Sequence, residues 1–195
     1  MKNIDINVGV SNRHVHLKES DFKILFGNDA VLECEKKLTQ PGQYSSKSKL
    51  TIKTEKSEIP NVRVLGPLRS YTQVEISKTD AFKLGVNPPV RESGNIENSE
   101  SVTLVGPCGE ITINEGCIIA SRHIHLTHDD VKKYGLEGKK YVDILIDGFK
   151  GGILKNVFLK ISDDFVFELH IDTDDANAHL VKQGDIVHII GDDCE

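Results

Sequence analysis

"SNRHVHL" at 11–17 and "ASRHIHL" at 120–126 share an arginine, two histidines and a leucine in register, with valine answered by isoleucine. In an extended segment residues i and i+2 project from one face. His14 and His16 therefore project together, and so do His123 and His125. Two imidazoles on one strand face can ligate a metal without distorting the backbone. Imidazole suits zinc, whose catalytic sites take three protein ligands and keep a further position open. A lone HxH is more often a solvent-facing pair. Two copies in matched surroundings point to metal binding.

Working outward, each HxH is followed by a short helical pattern, "ESDFKILFG" and "THDDVKKYGL", ending at or near a glycine. In the second, Thr127 and Asp130 have capping-box spacing; in the first, Ser20 comes too late for that place, so the cap is weaker. A third helical pattern, "DDANAHLVKQG", also closes on glycine. Strand signals dominate the remainder: "INVGV", "KLTIKT", "VRVLG", "TQVEIS", "VTLVG", "ITI", "CIIAS", "YVDILID", "VFLKI", "FVFELHI" and "DIVHII". They are short, rich in Val, Ile and Thr, and punctuated by Gly, Pro, Asn or Asp. The pattern predicts a mainly β protein of small barrels or sandwiches. Two copies far apart mark a duplication rather than a solenoid. The polar stretch 33–49 reads as a hairpin excursion turning at "QPGQ", and 87–101 as a long connection.

Each histidine pair needs a third ligand. Glu75 on "TQVEIS" and His170, Asp172 and Asp174 in "ELHIDTDDANA" are candidates, and His128, His179 and His188 are also available. His128 sits in a helix's first turn and His188 inside an apolar strand, which suits surface or structural roles. Composition does not choose among them. Arg13 and Arg122 precede the pairs and point to the opposite strand face, where salt bridging or barrel-end packing is the simpler role.

A net charge of −6, from 30 acidic and 24 basic residues, and the lack of any dense Lys/Arg stretch argue against nucleic acid as a partner. No apolar run approaches the roughly 20 residues of a membrane-spanning helix. "MKNIDINVGV" lacks the plan of a signal peptide, so a cytoplasmic location is expected. Cys34, Cys108, Cys117 and Cys194 have no CxxC spacing and are expected to be reduced thiols without a catalytic role. Cys108 and Cys117 are expected to face each other across a hairpin turning at "PCGE". "DGFKGG" at 147–152 matches no phosphate-binding loop and reads as a turn.

The paired motifs, together with "GPLRSYTQVEIS", "NPPVRESGN" and "HIDTDDANA", resemble the PduL-type phosphotransacylase (phosphate propanoyltransferase) family from about residue 8 to residue 190. The resemblance implies two β-barrels capped by short helices, each carrying an HxH motif: a central barrel over 13–120, with a polar excursion at about 33–58, and a C-terminal barrel over 121–195. The N-terminal strand, 1–12, would cross over to complete the latter. It implies a dinuclear zinc enzyme, with His14, His16 and Glu75 on the first zinc and His123, His125 and His170 on the second. Arg69 matches the family's active-site arginine, and Asp172 is a candidate to orient a ligating imidazole.

The implied reaction converts short-chain acyl-CoA, acetyl or propanoyl, and phosphate into acyl phosphate and coenzyme A by direct displacement. A zinc-dependent hydrolase or a structural zinc module are the competing readings. A homodimer would fit. Gln43 and Ser45 in the polar excursion would border the pocket. Members targeted to bacterial microcompartments carry an amphipathic N-terminal extension, whereas "NIDINVGV" alternates like a strand.

Overall fold

The computed structural model describes residues 3–190. In chain order the first elements are β1 (Ile4–Ser11), β2 (His14–His16), α1 (Glu19–Phe26), β3 (Cys34–Lys37), β4 (Tyr44–Lys53) and β5 (Glu58–Gly66). Next come β6 (Gln73–Glu75), α2 (Lys78–Leu84), β7 (Val90–Arg91), β8 (Glu100–Val105) and β9 (Glu110–Ala120). The last are β10 (His123–Leu126), α3 (His128–Tyr134), β11 (Tyr141–Ile146), β12 (Gly152–Ile161), β13 (Glu168–Asp172), α4 (Thr173–His179) and β14 (Ile186–Ile190). Among the described residues the protein is mainly β, with two closed six-stranded barrels and four short helices.

The chain divides into two compact units, Asn12–Ala120 and the pair Met1–Ser11 with Ser121–Glu195. In the latter, β1-β13-β10-β12-β11-β14 forms a closed barrel. Its β1–β13 and β10–β12 ladders are parallel and the rest antiparallel. In the other unit, the pairing of β8 with both β4 and β9 closes the ring β9-β6-β2-β5-β4-β8. There β9–β6 and β2–β5 are parallel and the rest antiparallel, the same order of ladders. The short β3 and β7 hang outside the ring on β4 and β9. Closure leaves no open row of backbone donors and acceptors in either ring.

Matching the rings makes β1 the counterpart of β9, β2 of β10 and β6 of β13. The chain order adds a twist. β1 leads into the HxH strand of one barrel but is hydrogen-bonded into the other, beside β13 and β14.

Alternation sorts the side chains. In each HxH the middle residue, Val15 or Ile124, is fully buried in its barrel core. One core gathers Ile6, Val8, Ile144, Leu169 and Val187, and the other Leu50, Val64, Val74, Val102 and Leu104. Burying one such side chain stabilises a fold by roughly 1.5–3 kcal/mol, so each ring carries its own core.

Several local expectations change. α2 lies where no helix was expected; Ser77 caps it through a capping box with Asp80, and Gly85 ends it in the left-handed region at φ 73°. Thr127 and Asp130 cap α3 as the spacing predicts, and α1 starts from Lys18 without a side-chain cap. "ITI" and "CIIAS" are one strand, β9, passing through Gly116 at φ 129°. The polar excursion is a hairpin of β3 and β4 around Leu38–Gln43, but β4 continues into the ring, so less of 33–58 stands outside it than the composition suggests. Cys108 lies in the β8–β9 turn, while Cys117 pairs with Glu100 at the far end of that hairpin, so the two cysteines do not face each other.

Candidate functional site

Two groups of donor side chains stand out among the described residues: His14, His16 and Glu75, and His123, His125 and His170. Within each group the potential ligand atoms all lie within 4.8 Å of one another. Ladder register places the third member. On β6 Glu75 sits directly opposite His14, and on β13 His170 sits directly opposite His123. Directly opposed residues of an antiparallel pair share a face. A backbone pairing thus brings together side chains far apart in sequence.

Local hydrogen bonds orient the imidazoles. His14 donates Nδ1–H to the Asn12 carbonyl at 2.8 Å, and His123 donates Nδ1–H to the Ser121 carbonyl at 2.9 Å. Each Nε2 is left as the ligand atom, an arrangement common for metal-binding histidine. His14 Nε2 lies 3.4 Å from Glu75 Oε2, and His125 Nδ1 lies 3.2 Å from His170 Nε2. Neighbouring donors on a tetrahedral zinc with bonds of about 2.0–2.1 Å are about 3.4 Å apart. The donor sets fit that metal in type and spacing. Burial, with His170, His123 and Lys160 adding to it, pushes His125 down to about 2, so its ring is a neutral donor.

The two arginines behave alike. Arg13 Nε donates to Asp80 at 2.8 Å, and Arg122 forms a two-pronged pair with Asp175 at 2.7 Å on both arms. Each aspartate is the third residue of the helix that starts just after the third donor, α2 after Glu75 and α4 after His170. Each arginine therefore ties its HxH segment to the strand–helix corner carrying that donor. The pair with Asp175 also raises the Arg122 pKa. Salt bridging, the simpler expectation for these arginines, is what the structure shows.

Arg69 is half-buried. Its backbone N–H donates to the Leu17 carbonyl at 2.8 Å, beside the HxH strand. Its Nη1 reaches Tyr71 Oη at 3.2 Å and Ser93 Oγ at 3.4 Å. From Ser93 the chain of bonds continues: Gln73 Nε2 donates to Ser93 Oγ at 2.8 Å and to Glu75 Oε1 at 2.6 Å, and Gln73 Oε1 accepts from Gly94 N at 2.7 Å. Arg69 is thereby joined to a metal-type carboxylate through Ser93 and Gln73.

Asp172 is placed differently from its expected role. Its Oδ1 accepts from Asp175 N at 2.9 Å and caps α4, and burial raises its pKa. The carboxylate beside a histidine donor is instead Glu168, whose Oε2 lies 3.1 Å from His170 Nε2. Gln73, Ser93 and Glu168 escaped the sequence reading. Gln73 and Glu168 each lie two residues before a third donor, so strand alternation was a signal for both. Among the other histidines, His128 and His188 contact Asp163 and Asp5, and His179 Nδ1 bonds the Lys150 carbonyl; none of them joins either donor group. Gln43 and Ser45 serve the β3–β4 hairpin.

Residues 7–182 match the sequence model of a family described as phosphate propanoyltransferase. Relatives bearing that name are found in Thermotoga maritima, 48% identical across 95% of this chain and 89% of the relative, and in Priestia megaterium, 49% identical across 92% and 83%. Another, from Salmonella typhimurium, is 43% identical across 91% of this chain and 85% of its own length.

Proposed function

Because this chain belongs to the phosphate propanoyltransferase family, we propose that it interconverts short-chain acyl-CoA and phosphate with acyl phosphate and coenzyme A, using one zinc ion on each donor group. The chain is a phosphate acyltransferase; acyl choice, zinc and direct displacement are the finer parts of the proposal. The observation that carries it is the pair of three-donor groups built at matched register positions of two barrels.

In the proposed reaction a phosphate oxygen bonds the acyl carbon, the carbon–sulfur bond breaks, and the CoA thiolate leaves. When bound, zinc would stabilise the thiolate and polarise an oxygen as a Lewis acid. Arg69 offers a planar fork suited to a phosphate group. Ser93 and Tyr71 hold that guanidinium from one side. His14 and His123 are held by backbone carbonyls before any ligand arrives, which lowers the ordering cost of binding.

No cysteine nucleophile is required. Cys117 is fully buried in a barrel core, with burial pushing its thiol up to about 12. Cys34 lies in the β3–β4 hairpin and Cys108 in the β8–β9 turn; Cys194 lies outside the described residues. Replacing all four with alanine is expected to keep turnover within a few-fold.

The deciding experiment measures CoA release from acetyl-, propanoyl- and butanoyl-CoA, with and without phosphate and with and without chelator. Release that requires phosphate and is lost on chelation is expected. Release that ignores phosphate would turn the reading into a hydrolase, and full activity after complete metal removal would remove zinc from it. Arg69→Ala is expected to lower kcat/KM for phosphate at least 100-fold, consistent with loss of a bidentate charged contact.

A further inference from the structure

The two donor groups look unequal: one holds two histidines and a carboxylate, the other three histidines. A divalent ion would then carry a net +1 in one and +2 in the other. The residues two places before the third donor change that count. On β6 this place holds Gln73, opposite His16; on β13 it holds Glu168, opposite His125. Each group therefore has one carboxylate within reach, at exchanged positions of the same two-residue step. Where the third donor is Glu75 its neighbour is a neutral amide, and where the third donor is His170 its neighbour is an acid.

Glu168 is built into its place. Its side chain is 6% exposed, and its Oε2 sits 3.1 Å from His170 Nε2, which itself sits 3.2 Å from His125 Nδ1. A carboxylate taken out of water needs a fixed positive partner or several donors. A cation held on His170 Nε2 would lie within reach of this oxygen, which already sits beside that nitrogen at a spacing close to that of neighbouring donors on one tetrahedral ion.

The neighbouring strand leaves room beside this acid. Gly9 on β1 pairs with His170, and a Cβ there would come 3.1 Å from Glu168 Cδ, 3.2 Å from the Leu169 carbonyl oxygen and 3.3 Å from Glu168 Oε2. Gly9 has no unusual φ, so space rather than backbone freedom distinguishes the position. At the matching place of the other barrel, beside Glu75, stands the full-sized Ile118.

We propose that Glu168 belongs to the His123/His125/His170 metal site as its charge-balancing carboxylate, in the space cleared by Gly9, so that the two metal sites of the chain carry equal net charge. The inference rests on the zinc reading above. It concerns how tightly one particular site holds a divalent cation, apart from any turnover.

The test uses the full-length chain, stripped by chelator and reloaded with zinc. Bound metal is counted by elemental analysis, and affinity is measured by competition with a chromophoric chelator. The wild type is expected to hold two zinc ions. Glu168→Gln, which keeps shape and removes charge, is expected to weaken one of them about 10–100-fold, the range seen when a carboxylate supporting a metal site is lost. Gly9→Ala is expected to weaken the same ion by crowding the acid, and Glu75→Gln to weaken the other. Melting separates a metal role from a structural one. The rise in Tm produced by zinc should shrink in Glu168→Gln while the chelated variant melts no lower than chelated wild type.

A Glu168→Gln protein that binds two zinc ions at wild-type affinity overturns the inference and leaves the zinc reading standing. So does a variant whose chelated form is destabilised as much as its zinc form. A wild type that takes up no zinc overturns both.

Discussion

Cys117 shows how far burial alone sets a residue's chemistry. It sits on β9 with no exposure, and desolvation, helped by Glu100, lifts its thiol to about 12. Thiolate is the reactive form, so across pH 6–9 this sulfur is inert in the folded chain. Alkylation at pH 8 followed by peptide mass spectrometry is expected to mark Cys34 and Cys108, both exposed, and to reach Cys117 only after denaturation. Labelling of Cys117 at the rate of the exposed pair in native protein would contradict the packing. Ser93 makes a second residue-scale case. It bonds Arg69 and Gln73 without belonging to either donor group, so Ser93→Ala should raise KM for phosphate several-fold while kcat and zinc content stay near wild type. A fall in kcat with unchanged KM would mean that Ser93 acts on something other than phosphate binding.

Among the elements, α2 and α4 are the same device made with different ends. Both start just after a third donor and hold an arginine-bound aspartate at their third residue. α2 ends on Gly85 at φ 73°, whereas α4 ends on Leu180 at φ 58°, a conformation that costs a side-chain-bearing residue roughly 1–2 kcal/mol. Leu180 is 63% exposed, so little apolar burial would be lost on trimming it. Leu180→Gly is therefore expected to raise Tm by a few degrees, in line with about 1 kcal/mol in a domain of this size. Removing a cap should do the reverse: Thr127→Ala on α3 is expected to cost about 1 kcal/mol by chemical denaturation.

The same elements show what could and could not be read beforehand. The HxH faces were legible because period-two alternation is local. The α2 signals were present too, in Ser77, Asp80 and Gly85, but a seven-residue helix with the exposed Phe82 carries too little amphipathic pattern to announce itself. Gly116 was a false boundary: a glycine inside a strand tolerates positive φ and lets β9 continue. Which side chain opposes His14 or His123 depends on pairing between distant strands, and no local pattern contains that. Glu75 and His170 were among several candidates, and only the resemblance to a family chose them. Glu168 needs both register and the vacancy at Gly9, so it was the least visible of all.

At the scale of the whole molecule, the duplication is complete in topology and uneven in connectivity. Every strand of the Asn12–Ala120 ring comes from one continuous stretch, while the other ring borrows β1 from the far end of the chain. A fragment covering 12–120 is expected to unfold cooperatively by itself. A fragment starting at 121 lacks the strand between β13 and β14 and is expected to gain cooperative unfolding only when the β1 sequence is fused to it or supplied as a peptide. Calorimetry of the two fragments checks this; a sharp transition in the second fragment without β1 would show that its ring does not need closing.

That borrowed strand also sets a timetable. Ile4 finds its partner in Ile189, so β1 leaves the ribosome long before the strand it pairs with has been made. At about 5–20 residues per second the interval is roughly ten to forty seconds. Until β13 is made β1 has no hydrogen-bonding neighbours, and Asp5 and Asn7, exposed in the finished strand, keep one of its faces polar meanwhile. Contacts between such distant residues are the slowest to form. The second barrel therefore cannot close until β14 has been made, nor His170 gain Gly9 beside it until β13 has.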